Sequence, residues 1–205
     1  MGLYLDQILP RVLDLGMNNR RMRALRDQAA IGLTGTVVEL GFGSGLNLPH
    51  YPEAVERLYA IDPATVGRRL ARRRIEAAGF PVEFPSLDGE RIALDDSTAD
   101  CVLVTWSMCT IPRPSKALEE AYRVLKPGGT LHFVEHGRSP DPAVARQQDR
   151  VEPWWGAVFG GCSLIREVDV EVREAGFVLD PVEVFHAEGS PRFLGATRLG
   201  KAFKV

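Results

Sequence analysis

The sequence predicts an α/β fold, in which helices cover both faces of one doubly wound, mostly parallel sheet. From residue 36 to about 177, short β-branched and apolar runs alternate with segments of helical periodicity. This alternation is typical of parallel strands joined by right-handed helical crossovers. The first run ends in three closely spaced glycines, a sign that a ligand approaches the backbone there. A chain of 205 residues has the length of one domain, so residues 1–205 are predicted to form a single unit.

The predicted elements follow from local patterns in chain order. Apolar residues at helical spacing predict helix over the first 30 residues, with a break at Gly16 and Asn18. Apolar runs predict strands at 36–40, 57–61, 82–84, 101–105 and 130–135, with weaker candidates at 178–185 and 196–203. Helices are predicted at 66–78, 115–125 and 166–175, the second with Ser115 as its N-cap. Residues 138–159 have a weaker pattern and are predicted to be less regular.

The composition excludes several classes of protein. The formal net charge is -2, whereas general nucleic-acid binders carry a basic excess, so no nucleic-acid partner is expected. No run approaches the ~20 apolar residues of a spanning helix, and no signal-peptide core follows the N-terminus. A cytoplasmic protein without a membrane span is therefore predicted. The three cysteines, Cys101, Cys109 and Cys162, are too few and too scattered for a disulfide framework or zinc cluster, so no metal is expected.

The glycine-rich loop carries the strongest chemical signal. Gly41, Gly43 and Gly45 directly follow the first predicted strand and leave the backbone free to turn tightly around a ligand. A dinucleotide loop has the spacing G-x-G-x-x-G, but Leu46 stands where its third glycine would be. Glu39, just before the loop, would repel a pyrophosphate and suit a ligand with an ammonium and a sulfonium. Spacing and charge therefore favour S-adenosylmethionine over NAD.

Acidic residues after the next two strands extend this predicted site. Asp62 ends the second strand, about 20 residues past the glycine loop, where a carboxylate can accept both ribose hydroxyls. The alternative for Asp62 is a surface acid in a turn with Pro63. Asp88, followed by Gly89, lies after the third strand and could accept from the adenine amino group. An ordinary loop acid is the alternative for Asp88, and the sequence leaves it open.

With these motifs in their order and spacing, residues 35–135 resemble class I S-adenosylmethionine-dependent methyltransferases (methyltransferase type 11). The matching stretches are 37–45, 61–62, 88–90, 100–104 and 123–131. The resemblance implies a Rossmann-like, seven-stranded sheet with an antiparallel last strand. It implies cofactor-binding roles for Glu39, Gly41, Gly43, Gly45, Asp62, Asp88 and Gly89. Phe42 departs from the small or polar residue more common in the family, which puts the shape of the pocket beside the methionine moiety in doubt.

The second half of the chain is similar to a narrower branch, the thiol methyltransferase-like group. The stretches that carry this similarity are 133–136, 147–148, 153–154, 161–164 and 166–167. Members of that group methylate small thiols, so a small-molecule acceptor is expected. The predicted organisation is an N-terminal helical lid at 1–34, a cofactor-binding core at 35–135 and an acceptor-side half at 136–205.

Methyl transfer is an in-line displacement, for which the protein must above all align acceptor and methyl group. His136, directly after the fifth strand, is the candidate base or orienting residue, since its intrinsic pKa suits proton removal near neutrality. A structural histidine is an equally good interpretation. Aromatic residues are common in apolar pockets, and a cap over the acceptor is predicted from a group of four side chains. Its members are Trp154, Trp155, Phe159 and Cys162, for which ordinary core packing is the alternative.

Other functions remain open at this point. A quinone, phenol or lipid head group could replace a thiol as acceptor, because the cofactor half would be the same. A non-catalytic cofactor-binding module is less favoured, since both halves of a site are predicted. Enzymes that methylate amide or nucleobase nitrogens often carry an Asn/Asp-Pro-Pro-aromatic motif after the fourth strand, where this chain has residues 105–108, Thr-Trp-Ser-Met.

Overall fold

The computed structural model describes residues 4–187 and 189–205 and is built around one eight-stranded sheet. Its strand order is β3-β2-β1-β4-β5-β8-β6, and β7 also pairs with β8. The strands are β1 (Gly35–Leu40), β2 (Val55–Ile61), β3 (Val82–Glu83), β4 (Ala99–Thr105), β5 (Leu125–His136), β6 (Val178–Leu179), β7 (Glu183–His186) and β8 (Ala196–Phe203). The pairs from β3 to β5 are parallel, whereas β8 runs antiparallel to β5. The predicted fold class, mostly parallel with an antiparallel last strand, is therefore confirmed.

Helices occupy both faces of this sheet. They are α1 (Leu9–Gly16), α2 (Arg20–Ala30), α3 (Thr65–Glu76), α4 (Pro114–Val124), α5 (Pro142–Val158) and α6 (Val168–Glu174), with a π-helical turn at Tyr4–Ile8 and a 3-10 turn at Leu48–His50. Side chains alternate across each strand, so Val38 packs with α4 and α6 on one face. Its neighbour Val37 packs with α2 and α3 on the other. Among the described residues, no helix combines the length and apolarity needed to cross a membrane.

The sheet has one strand more than the predicted seven because the segment 178–185 is split. Val178 pairs with Phe203 in β6, and Glu183 pairs with Leu199 in β7. Pro181 lies between the two segments, and a proline cannot donate to the ladder. Both segments lie along the same edge of β8, so together they occupy the place of one predicted strand.

Two local predictions are wrong. Residues 138–159 are largely helical, because Asp141 caps α5 through a 2.8 Å hydrogen bond from Ala143 N and Pro142 occupies the first turn. Pro153 within the helix and its polar residues hide the periodicity. Ser115 is not an N-cap, since α4 already begins at Pro114 and its N-cap residue, Arg113, makes no side-chain capping bond.

The described part of the predicted lid, residues 4–34, is mostly helical and is tied to the core by polar contacts. Arg74 of α3 donates to Asp14 of α1 at 2.9 Å and to the Ser44 carbonyl of the glycine loop at 2.8 Å. His132 of β5 places its Nδ1 3.1 Å from the Ala29 carbonyl of α2. The first three residues of the lid lie outside the described residues, and the division at 34 and 135 stays a prediction.

His132 should make the stability of the protein depend on pH. Burial lowers its pKa to about 4, from an ordinary value of 6.5. Because the unfolded chain takes up this proton first, the stability it contributes is present above pH 6.5 and is lost as pH falls toward 4. We expect the loss to reach about 1–2 kcal/mol at about pH 5.

Chemical denaturation between about pH 5 and pH 7 measures this loss. The variant His132→Gln should show a flatter pH profile than the wild type. The variant His186→Gln is the matched control, because His186 is exposed on β7, and it should keep the wild-type profile. Identical profiles for all three proteins would contradict the assignment.

Candidate active site

The glycine loop after β1 is held by unusually close backbone contacts. Gly41 has a φ of 82°, and a Cβ there would lie 2.1 Å from the Ser107 Cβ. The Ser107 hydroxyl donates to the Leu40 carbonyl at 2.6 Å, which brings the loop after β4 against the end of β1. Gly43 has a φ of 54° and open space where a Cβ would be. The loop is therefore packed at Gly41 and open at Gly43.

Gly67 in the first turn of α3 lets this loop lie directly on the helix. A Cβ on Gly67 would lie 2.4 Å from the Gly43 carbonyl oxygen, so any larger residue would push the loop away. Sequence analysis missed Gly67, because a single glycine in a helical pattern gives no sign of the backbone that packs on it.

Glu39 is fully buried at the end of β1. Its Oε1 accepts from Asn47 Nδ2 at 2.7 Å, and its Oε2 accepts from the Tyr51 hydroxyl at 2.7 Å. Burial raises its pKa to about 7, although these two hydrogen bonds and the charge of Arg26 oppose the shift. A cation that reaches this buried carboxylate would stabilise its charged form.

Asn47 fixes the direction in which a ligand would meet Glu39. Its Nδ2 also donates to Thr105 Oγ1 at 2.9 Å, which orients the amide. Its Oδ1 is buried and has no hydrogen-bond partner in the described structure, which is costly unless a ligand donates to it. An acceptor oxygen beside a carboxylate suits an ammonium group, so these residues fit the methionine end of S-adenosylmethionine. Sequence analysis missed Asn47, although it lies two residues past Gly45.

Arg26 brings the N-terminal helices to the same site. Its guanidinium is 4.8 Å from the centre of the Trp106 ring, and its Nη1 donates to the Met17 carbonyl at 3.0 Å. Trp106 follows β4 with a φ of 49°, a backbone conformation that residues other than glycine adopt at a cost in free energy. Burial lowers the pKa of Arg26 to about 10, so near neutral pH Arg26 still carries a positive charge close to Glu39. No pattern in the sequence distinguishes this arginine from its exposed neighbours.

Asp62 is placed at the end of β2 as predicted, but its oxygens already have partners. Oδ2 accepts from Gly43 N at 2.7 Å, and Oδ1 accepts from Ala64 N at 2.6 Å. Burial raises its pKa, and these backbone hydrogen bonds oppose the shift. Asp62 thus anchors the glycine loop, and each oxygen has a further lone pair for a ribose hydroxyl.

Asp88 and Gly89 lie in the loop after β3 and are less enclosed. The Asp88 side chain is exposed and accepts from Glu90 N at 2.9 Å. A Cβ on Gly89 would lie 3.8 Å from Leu40 at the end of β1.

A small cleft separates the glycine loop from the loop after β3, with Gly43, Asp62, Phe84 and Leu87 in its walls. A wider depression lined by Lys126 and Lys201 lies at the opposite edge of the sheet.

The end of β5 supplies two neighbouring titratable side chains. Glu135 is fully buried, and its Oε1 accepts from Ser107 N and Met108 N at 2.7 and 3.0 Å. Burial raises its pKa to about 8, and its Oε2 has no partner in the described structure. Burial also lowers the pKa of His136 to about 4, against a hydrogen bond with the Leu194 backbone. His136 is therefore neutral near pH 7, and its buried Nδ1 is without a described partner.

Three of the four predicted cap residues come together. Trp155 stacks on Phe159 with ring centres 4.0 Å apart, and Cys162 lies in the turn that follows α5. Trp154 instead points to solvent with 77% of its surface exposed. The Cys162 sulfur lies 3.3 Å from that of Cys109, which follows β4. The predicted acceptor side thus meets the loop that packs on Gly41, although the binding roles themselves stay predictions.

Comparison with protein families fits this geometry. Residues 38–133 match the family model described as a methyltransferase domain. The thiol S-methyltransferase TMT1B of Homo sapiens is 33% identical over 174 residues, which cover 78% of this chain and 70% of the relative. The chain belongs to the class I S-adenosylmethionine-dependent methyltransferases, close to their thiol methyltransferase branch. The corresponding resemblance in sequence is confirmed.

Two further comparisons define the extent of the similarity. TMT1B of Rattus norvegicus is 36% identical over 146 residues, which cover 69% of this chain and 59% of the relative. The chain thus spans about three fifths of the length of that protein. A SAM-dependent methyltransferase structure from Thermotoga maritima has a TM-score of 0.71 and 21% identity, covering 98% of this chain and 100% of that one. This likeness supports the fold alone.

Gly67→Ala should weaken the binding of S-adenosylmethionine by roughly tenfold or more, because the new methyl group displaces the glycine loop from α3. Isothermal titration calorimetry with the purified methyltransferase measures the affinity. Gly79→Ala is the matched control, since nothing lies within 4 Å of its Cβ position. Equal affinity in both variants would contradict the role of the close contact between Gly67 and Gly43.

Proposed function

We propose that this methyltransferase transfers the methyl group of S-adenosylmethionine to a small thiol. The observation that carries the proposal is the buried Glu39 carboxylate beside the unpartnered Asn47 oxygen. Two acceptors in a dry site attract a cation and leave a phosphate unstabilised. Burial is the main cause of the raised pKa of Glu39, and the nearby negative charge of Asp62 raises it further. The two neighbouring carboxylates together attract a positively charged ligand.

The proposed donor supplies an electrophilic methyl group, and the chain supplies its position. Glu39 and Asn47 would hold the ammonium, and the backbone from Gly41 to Gly45 would lie against the cofactor. Asp62 would accept from the ribose hydroxyls, and Asp88 and Gly89 would border the adenine. Gly43 and Asp62 line the small cleft described above, which supports their part in this arrangement. Orientation of the reacting groups can lower a displacement barrier by ~7–11 kcal/mol at best.

A thiol is the favoured acceptor for a chemical reason as well as by similarity. A free thiol has a pKa of about 8.5 and is partly ionised near neutrality, whereas a phenol or alcohol needs a stronger base. His136, with its pKa lowered to about 4, is a weak base. It is better suited to orient an acceptor through its Nδ1, which has no hydrogen-bond partner among the described residues. The relatives named above are thiol S-methyltransferases, which agrees with this choice.

An acceptor panel with labelled S-adenosylmethionine tests the proposal. We expect label transfer to small alkyl and aryl thiols, with little or none to phenols, quinols or phospholipid head groups. Transfer to a quinol or phenol alone would replace the thiol by that acceptor. Tight binding of the donor without any transfer would leave only a cofactor-binding module.

Trp155→Ala should reduce acceptor use far more than donor binding, because Trp155 and Phe159 form the stacked face of the proposed acceptor pocket. A fall of roughly tenfold in kcat/KM for the thiol is expected, with the calorimetric affinity for S-adenosylmethionine nearly unchanged. Trp154→Ala removes an exposed indole from the same helix and serves as the matched control. Equal losses of thiol turnover and donor affinity in Trp155→Ala would count against the cap.

A further inference from the structure

The two thiols of Cys109 and Cys162 form a close pair that the proposed reaction does not require. Their sulfurs are 3.3 Å apart and hydrogen-bonded, although the residues are 53 positions apart in the chain. Both are buried, with 2% and 7% of their surface exposed. Their backbones also meet, since Ser163 N donates to the Cys109 carbonyl at 2.9 Å. The fold thus holds two free thiols side by side.

The backbone around Cys162 can follow a change in this pair. A disulfide needs a sulfur separation of about 2.05 Å, so the sulfurs must approach by roughly 1 Å. Gly160 and Gly161 immediately precede Cys162 and have φ values of 65° and 89°. Space is open where a Cβ on Gly161 would be. Two glycines with this freedom can absorb the shift without strain in the sheet.

The electrostatic surroundings give the two thiols different reactivities. The hydrogen bond with Cys109 lowers the pKa of Cys162, and Arg166 acts in the same direction. The pKa of Cys109 is raised by its hydrogen bond with Cys162, by burial and by the negative charge of Glu135. The thiolate is the reactive form of cysteine, so Cys162 attacks first and Cys109 is the resolving thiol.

We propose that Cys109 and Cys162 are a redox modification site, which a peroxide converts into a reversible disulfide that fixes Trp155 and Phe159 over the acceptor pocket. The oxidant is a peroxide, because hydrogen peroxide is small enough to reach a residue such as Cys162, of which 7% is exposed. The effect on methyl transfer rests on the proposed function, whereas formation of the disulfide does not.

The chemistry is balanced without any further reactant. The Cys162 thiolate attacks one peroxide oxygen, so an S–O bond forms, the O–O bond breaks and hydroxide leaves to become water. The Cys109 sulfur then attacks the Cys162 sulfur, so the S–S bond forms and the S–O bond breaks. The second hydroxide leaves as water with the proton of Cys109. Two electrons pass from the two thiols to the peroxide.

Thiol counting and peptide mapping after treatment of the folded protein with hydrogen peroxide test the modification itself. The number of free thiols, counted after denaturation, should fall from three to one, with a Cys109–Cys162 cross-link that a phosphine reductant removes. Cys101→Ser is the control and should form the same cross-link, because Cys101 lies within β4. Cys109→Ser should stop at an oxidised Cys162. Three remaining thiols, or a cross-link through Cys101, would overturn the proposal.

Activity measurements test what the disulfide does. Oxidised wild-type protein should turn over a small thiol roughly tenfold more slowly or worse, keep most of its affinity for S-adenosylmethionine, and recover on reduction. Cys109→Ser, compared with its own untreated sample, should keep most of its turnover after the same treatment, because no disulfide can form to fix Trp155 and Phe159. If the disulfide is mapped but turnover is unchanged, the proposed effect of the disulfide on Trp155 and Phe159 is refuted. If the reduced protein methylates no thiol, the proposed function fails, while the peptide map still decides the modification.

Discussion

The arrangement of the active site depends on one buried carboxylate, that of Glu39. Removing a carboxylate from water is costly unless hydrogen bonds and opposite charge compensate. Tyr51 and Asn47 each donate to one of its oxygens, and Arg26 provides a positive charge from α2. The compensation is partial, since burial still raises the pKa to about 7. The N-terminal helices, the glycine loop and the segment to Tyr51 are thus held around a group that a cationic ligand would stabilise further.

The parallel sheet explains why other carboxylates gather at the same place. The carboxyl ends of β1, β2 and β5 lie at one edge, and they bring Glu39, Asp62 and Glu135 there. Each of the three has a pKa raised chiefly by burial. Two of them also order backbone, because Asp62 holds Gly43 and Glu135 holds the turn at Ser107 and Met108. Asp62 and Glu135, at the same edge of the sheet as Glu39, therefore shape the glycine loop and the turn after β4.

Sequence patterns were sufficient for the parts of this structure that depend on contiguous residues. Alternating strands and helices specified the doubly wound sheet, and Glu39 with the glycines of its loop could be found because they follow one strand. Gly67 and Arg26 could not be found in this way, since their roles come from contacts with residues distant in the chain. Helix α5 was missed for a different reason, since a proline and polar residues mask its period. One of these polar residues, Gln148, is buried because its Nε2 donates to the carbonyls of Gly137, Leu164 and Phe193.

The same distinction separates the two halves of the site. The region that matches the methyltransferase domain, residues 38–133, holds the loops that would bind the donor. The proposed acceptor face, in contrast, comes from α5 and the turn after it, and its contact with the core runs through Cys109 and Cys162. Changes in that later segment would alter the proposed acceptor pocket without disturbing Glu39 or the glycine loop. We therefore expect selection among thiol, phenol and quinol acceptors to depend on the packing of Trp155 and Phe159 and on the weak basicity of His136, because a shared fold does not specify the acceptor.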